Sequence, residues 1–161
     1  LPNAGKSSLL AAVTNANPKI ANYQFTTLNP NLGVATYDNK EITLADIPGL
    51  IEGAHEGTGL GTQFLKHIER CKSLLHLIDI TNEDLIKSYN QVKNELKNYS
   101  TELIKKKELI VLNKIDLVDE DIVKKKIDDF LKKKKCEILT LSTLKKNSVS
   151  KIKSKLISYV S

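Results

Sequence analysis

The chain has 161 residues, of which 40% are hydrophobic and 27% charged. That length suffices for one domain with a continuous core, and the composition excludes a disordered, collagen-like or disulfide-stapled chain. The longest apolar stretches, such as residues 74–80 with His76 inside, fall far short of the ~20 residues of a membrane-spanning helix. The first residues carry no basic segment followed by an apolar run. Cys71 and Cys136 stand far apart, with no ligand-like spacing to each other or to the three histidines, which fits a reduced, cytoplasmic setting. The net charge of +6 is uneven: residues 1–86 carry 6 basic and 9 acidic side chains (−3), residues 87–161 carry 19 and 10 (+9). A basic half suits a nucleic-acid or ribosomal partner, or solvated helix ends such as residues 105–107 and 132–135, and the second reading is favoured. Arg70 is the lone arginine among the basic residues, which argues against sequence-specific DNA binding, where arginine's fork of donors is the usual instrument.

Helical and strand patterns alternate, which predicts an α/β domain of three layers, αβα, around a mainly parallel sheet. Residues 6–15 read as a helix opened by a glycine turn. Residues 16–31 form a polar loop rich in Asn and Thr, and loops of that length within a compact domain are usually functional. Strands are expected at 32–37 and 42–47, joined as a hairpin through Asp38, Asn39 and Lys40. Glycines at 49, 53, 57, 59 and 61 give residues 48–61 backbone freedom before a helix that runs to about Cys71. The apolar runs 74–80 and 108–112 suit strands buried on both faces, with an amphipathic helix around 83–99 between them. Helices at 121–134 and 149–160 flank a last strand at 137–141.

Gly5-Lys6-Ser7 opens the first helix, and Leu1, Pro2, Asn3 and Ala4 fill the four spacer positions of the phosphate-loop pattern G-x-x-x-x-G-K-[ST]. The first glycine of that pattern would stand before Leu1. In such a loop, backbone N–H groups and a helix N-terminus cradle phosphate oxygens, the lysine neutralises β and γ charge, and the hydroxyl binds Mg²⁺. Alone, Gly-Lys-Ser before a helix is also a plain turn and cap. The second element is Asp46-Ile47-Pro48-Gly49 at a strand's end, where a carboxylate can hold a metal's water shell and a glycine N–H can face a γ-phosphate. Alone, it is more often a turn. The third is Asn113-Lys114-Ile115-Asp116. The Asp116 carboxylate can accept two hydrogen bonds from the adjacent donors on guanine N1 and N2, a pair adenine lacks. Ser142-Thr143-Leu144 follows the last strand, where backbone N–H groups can meet the guanine carbonyl, and Phe25-Thr26-Thr27 offers a hydroxyl to the Mg²⁺ shell. Each has a structural reading by itself. Their order, at the carboxyl ends of strands where open α/β sheets bind ligands, predicts a site for a guanine nucleotide.

The segments at 1–7 (LPNAGKS), 23–34 (YQFTTLNPNLGV) and 46–57 (DIPGLIEGAHEG) closely resemble the GTPase domain of the Obg family, and the resemblance covers essentially the whole chain. It implies a P-loop fold and a cytoplasmic, monomeric GTP- and GDP-binding protein acting in assembly of the large ribosomal subunit and in the response to nutrient state. It places Asn3, Ala4, Gly5, Lys6 and Ser7 on the phosphates, with Ser7 and Thr27 as Mg²⁺ ligands and with Leu1 and Pro2 in the nucleotide site. Phe25, Thr26, Thr27, Leu28, Asn29, Ile47 and Pro48 join the nucleotide site, and Asp46 and Gly49 sense the third phosphate. Asn113, Lys114 and Asp116 hold guanine, supported by Ser142, Thr143 and Leu144, and Ile115 joins the nucleotide site. Lys6, Thr27 and Gly49 are the expected catalytic set. Obg-like relatives that use ATP depart at the guanine motif, whereas Asp116 stands in place here.

Leu50 follows Gly49, where many small signalling GTPases place a glutamine that orients water, so slow intrinsic hydrolysis is expected. Asn3 matches an asparagine that in related GTPases helps hold an activating potassium ion (K⁺). That role and a loop-shaping one both stay open. A central strand is expected upstream of Leu1, so residues 1–161 read as an N-terminally truncated GTP-binding domain with flanking domains outside it. His76 is expected in the core, His67 on a helix surface, His55 and both cysteines uninvolved, and Arg70 capping or pairing at a helix end. Two rivals remain. One is a basic RNA- or ribosome-binding module whose nucleotide is structural, supported by the +9 half. The other is a GTPase of tRNA modification or membrane transport, which would lack the Asn29-Pro30-Asn31-Leu32-Gly33 and 53–61 patterns.

Overall fold

The computed structural model describes residues 4–14, 19–20, 31–46 and 69–160. Within them the chain runs α1 (Lys6–Val13), β1 (Lys19–Ile20), β2 (Asn31–Tyr37), β3 (Lys40–Ala45), β4 (Ser73–Asp79), α2 (Leu85–Tyr99), α3 (Thr101–Lys105), β5 (Lys107–Asn113), a 3₁₀ turn (Ile115–Leu117), α4 (Glu120–Lys133), β6 (Ile138–Leu141) and α5 (Lys146–Val160).

The layers follow from the apolar run in β5. Leu109, Ile110, Val111 and Leu112 are all buried, so this strand has no solvent face. Alternation sends Leu109 and Val111 to one side, where they pack with Leu9 and Val13 of α1 and Val149, Ile152 and Leu156 of α5. Ile110 and Leu112 turn to the other side, against Leu85 of α2 and Phe130 of α4. Each such side chain contributes roughly 1.5–3 kcal/mol when taken from water, which makes this strand the anchor of the sandwich.

The described strands form two three-stranded sheets, parallel β4-β5-β6 and antiparallel β1-β2-β3. In the parallel sheet Asp79 pairs with Asn113, and Asn113 with Leu141, so three strands end at one level. Residues of β3 and β4, with Leu9 and Leu10 of α1 and Leu156 of α5, line an apolar groove of about 500 Å³. Two details of the antiparallel sheet depart from expectation. The polar loop expected at 16–31 contains β1, whose Lys19 and Ile20 pair with Leu32 and Asn31 and so satisfy backbone groups at the start of β2. The hairpin turn is one residue shorter than expected: Asp38 (φ 50°) and Asn39 (φ 57°) are both left-handed, as a two-residue turn matched to strand twist requires, and Lys40 already belongs to β3.

Ser100 divides what reads in sequence as one helix followed by a strand. Its N–H closes α2 on the Leu96 carbonyl while its Oγ accepts from Glu102 N–H and opens α3. Gly33 lets β2 lie against α1, since a Cβ there would collide with the Thr14 methyl and come within 3.0 Å of Leu10 Cδ1. Among the described residues, no helix is long and apolar enough to cross a membrane.

Candidate functional site

The amino end of α1 is built to leave backbone donors open. Gly5, at φ +89°, turns the chain into the helix, no side chain caps it, and its first turn holds no acidic residue. Four N–H groups at a helix start have no intrahelical partner, and with the helix dipole they favour an anion. Lys6 is half-buried and Ser7 exposed beside them. Asp46 continues the β2–β3 ladder, its N–H donating to the Asn31 carbonyl at 2.9 Å. Its Oδ1 is buried with no hydrogen-bond partner. Burial pushes the Asp46 carboxyl above its usual range, against the pull of the Lys6 charge. An orphaned carboxylate oxygen and an exposed hydroxyl are hard donors that suit a hydrated Mg²⁺ ion.

Asn113, the last residue of β5, joins this region to the neighbouring strand ends. Its side chain is buried and donates from Nδ2 to the Ala4 carbonyl at 2.9 Å. A Cβ on Gly5 would collide with that same Nδ2, so the glycine is required both for its left-handed backbone and for the close approach. Asn113 Oδ1 and Ser142 Oγ are both buried without partners, one at the end of β5 and the other one residue past β6. Orphaned polar atoms in such places cost stability unless a ligand or water meets them. The Ser142 N–H donates to Ser148 Oγ at 3.0 Å, so the backbone donors of this tripeptide left for a base carbonyl are those of Thr143 and Leu144. Ile115 is half-buried, Asp116 is exposed on the 3₁₀ turn, and Leu144 is 81% exposed in its loop.

Lys114 departs from ordinary backbone geometry, with φ 65° and ψ 33°, and its ammonium reaches Asp79 Oδ2 at 2.6 Å. Burial pushes the Asp79 carboxyl up but is outweighed by hydrogen bonds from Lys114 and Thr81, which hold it below the usual carboxylate range. Sequence reasoning passed over Asp79 and Thr81. The available signal is a carboxylate within the apolar run 74–80, at the carboxyl end of a parallel strand and level with the asparagine of the guanine motif.

Of the remaining expected residues, Leu1, Pro2, Asn3, Phe25, Thr26, Thr27, Leu28, Asn29, Ile47, Pro48 and Gly49 lie outside the described residues, as do Leu50, His55 and His67. His76 is a core residue: its Nδ1 lies 2.8 Å from Glu108 Oε1 and its ring stacks on Tyr89 at 5.2 Å. Glu108 also accepts from Lys93 (3.0 Å) and the Tyr89 hydroxyl (3.2 Å), near the amino end of β5 and away from the strand ends that form the site. Arg70 is exposed. Burial pushes the Cys71 and Cys136 thiols up, which lowers their reactivity.

An α/β sandwich that brings a phosphate-type loop and a base-type loop to one edge of its sheet defines the class, a P-loop GTPase domain, and solved structures of that class share the fold. The G domain of the T. maritima FeoB iron transporter superposes with a TM-score of 0.70 at 20% identity, covering 99% of this chain and 94% of that one. The nucleolar GTP-binding protein 1 of Plasmodium falciparum gives a TM-score of 0.67 at 25% identity, covering 99% and 81%. The family model described as 50S ribosome-binding GTPase matches residues 1–114. The GTPase Obg of Pelagibacter ubique is 71% identical over 161 residues, all of this chain and 49% of that protein. Those of Ehrlichia chaffeensis and Rickettsia felis are 54% and 53% identical, covering 99% and 94% of this chain and 46% of each relative. The chain belongs to the 50S ribosome-binding GTPase family and, within it, to the Obg GTPases. It spans about half the length of the curated relatives it matches.

Proposed function

We propose that this domain binds GTP with Mg²⁺ and hydrolyses it slowly to GDP and phosphate, as a cytoplasmic, nucleotide-dependent switch in assembly of the large ribosomal subunit. The observation that carries the reading is the hydrogen bond from Asn113 Nδ2 to the Ala4 carbonyl. It ties the base loop to the phosphate loop, so one ligand carrying both a base and phosphates spans them. Asp116 favours guanine because an exposed carboxylate can take both donors on N1 and N2. The names of the curated relatives support GTP hydrolysis, and the family description supports the ribosomal partner.

In-line attack of water on the γ-phosphorus needs positioning and charge neutralisation more than a strong base. The α1 amides and Lys6 supply positive charge at the phosphates. Ser7 and Thr27 would hold Mg²⁺, with Asp46 on its water shell. When bound there, the ion would supply charge neutralisation to the phosphates. The γ-phosphate, sensed by Asp46 and Gly49, would order residues 21–33 and 48–61, and hydrolysis would release them. Leu50 has no group to orient water, which keeps intrinsic turnover low. Asn3 is the residue to hold K⁺, whose charge would stand where other GTPases use an arginine finger.

The test is GTP and ATP hydrolysis by the full-length protein, with and without large ribosomal subunits, in potassium and in sodium. GTP-only turnover raised by the subunits is expected. A potassium requirement adds the Asn3 role, and identical rates in sodium return Asn3 to loop shaping. Tight GTP binding without turnover in any condition, together with RNA binding indifferent to GTP or GDP, would overturn the switch in favour of a basic RNA-binding module.

A further inference from the structure

We propose that Asp79, fixed by Thr81, is a positioning residue that sets the Lys114 side chain for the guanine base, an inference resting on the GTP-binding reading above. Asp79 ends β4 directly opposite Asn113 and is buried. Its two oxygens have separate duties. Oδ1 accepts from the Thr81 N–H (2.9 Å) and Thr81 Oγ1 (2.7 Å), while Oδ2 faces the Lys114 ammonium. The turn that carries Thr81 is itself pinned. Ile80 N–H donates to the Asn113 carbonyl at 3.0 Å, Asn82 N–H to the Asp79 carbonyl at 3.2 Å, and Lys126 Nζ bonds the carbonyls of Ile80 and Asn82 at 2.8 and 2.7 Å. The carboxylate is therefore held in one orientation before any ligand arrives.

Lys114 is fixed at its other end as well. It enters the left-handed region, which a residue with a Cβ does at a cost and which glycine or asparagine enters more easily. A turn alone would be served better by those residues, so the lysine side chain is what the position uses. With its backbone held between Asn113 and Asp116 and its ammonium on Asp79, the methylene stem becomes a fixed apolar surface beside the two residues that read the base edge. Asp79 also balances the ammonium charge in a partly desolvated place, and pre-organisation of this kind lowers the ordering cost of binding. A pair of this type is weak evidence for stability by itself, which leaves ligand positioning as its use.

The experiment is a double-mutant cycle in the full-length protein, read by GDP affinity, GDP release rate, and GTP KM against kcat. Asp79→Asn keeps shape and removes charge. It should weaken GDP binding and raise the GTP KM about tenfold, mostly through faster release, with a much smaller effect on kcat. In a Lys114→Met background, which keeps an apolar stem without the ammonium, Asp79→Asn should add nothing. Thr81→Val, which removes a single hydroxyl contact, should raise KM about threefold, and it carries the test if Asp79→Asn does not fold. Parental affinity in both Asp79→Asn and Thr81→Val, or an undiminished Asp79→Asn effect in the Lys114→Met background, would overturn the clamp. Absence of GTP binding by the parent protein would overturn the underlying reading together with it.

Discussion

Gly5 and Asn113 settle more of the site than their size suggests. The glycine's positive φ and its contact with Asn113 Nδ2 allow no Cβ, so Gly5→Ala should abolish nucleotide binding and cost roughly 1–3 kcal/mol in urea unfolding. A parental affinity for GDP in that variant would contradict the packing described. In the proposed function, Asp116 decides the base by hydrogen-bond polarity. Xanthine replaces the guanine C2 amine with a carbonyl, and a carboxamide offers one acceptor and one donor to match. Asp116→Asn should lose about a hundredfold in GTP affinity while gaining for xanthosine triphosphate, as measured by competition against fluorescent GDP. Gly5, Asn113 and Asp116 were legible in the sequence because each belongs to a short pattern whose chemistry is local. Asp79 was not, because its partner Lys114 is 35 residues away and only strand register brings them level.

Caps and turns decide boundaries at the scale of elements. Ser100 ends one helix and begins the next, so Ser100→Ala should cost about 1 kcal/mol, read from chemical denaturation. The paired left-handed residues Asp38 and Asn39 predict that Asn39→Gly is neutral to slightly stabilising, while Asn39→Val costs roughly 1–2 kcal/mol. Glu108 binds α2 to the sheet through Lys93 and Tyr89 and meets His76 of the neighbouring strand β4. Burial raises its carboxyl, but hydrogen bonds from His76 and Lys93 outweigh burial and leave it below the usual range. Its contribution is therefore present above the ordinary carboxylate range, near 4.5, and lost as pH falls through the lower folded value. Tyr89 has the opposite sign. Its hydroxyl is pushed up to about 12 by burial and by Glu108, so its contribution is complete below 10 and lost as pH rises to about 12. Stability measured against pH should fall at both ends, and Glu108→Gln should flatten the acid limb. The extra strand at Lys19–Ile20 escaped sequence reading because two residues carry no periodicity, and its partners Asn31 and Leu32 lie more than ten positions further along the chain.

The whole molecule places its apolar strand β5 at the centre, with helices on both faces, and lets Asp79, Asn113 and Leu141 finish level. That geometry sets Asn113 and the loop after Leu141, two of the sequence patterns, at one edge of a parallel sheet, as the α/β alternation led one to expect, and adds Asp79, which it did not. The split into an antiparallel and a parallel sheet was less legible, since hairpin chemistry at Asp38 and Asn39 speaks for two strands and not for their neighbours. The central claim is that this edge recognises a guanine nucleotide through Asp116 and holds its phosphates at α1. Displacement of fluorescent GDP from the full-length protein in Mg²⁺ tests it most directly. The account predicts that GTP and GDP compete stoichiometrically while ATP at a hundredfold excess leaves the signal unchanged; displacement by ATP as effective as by GTP would contradict it.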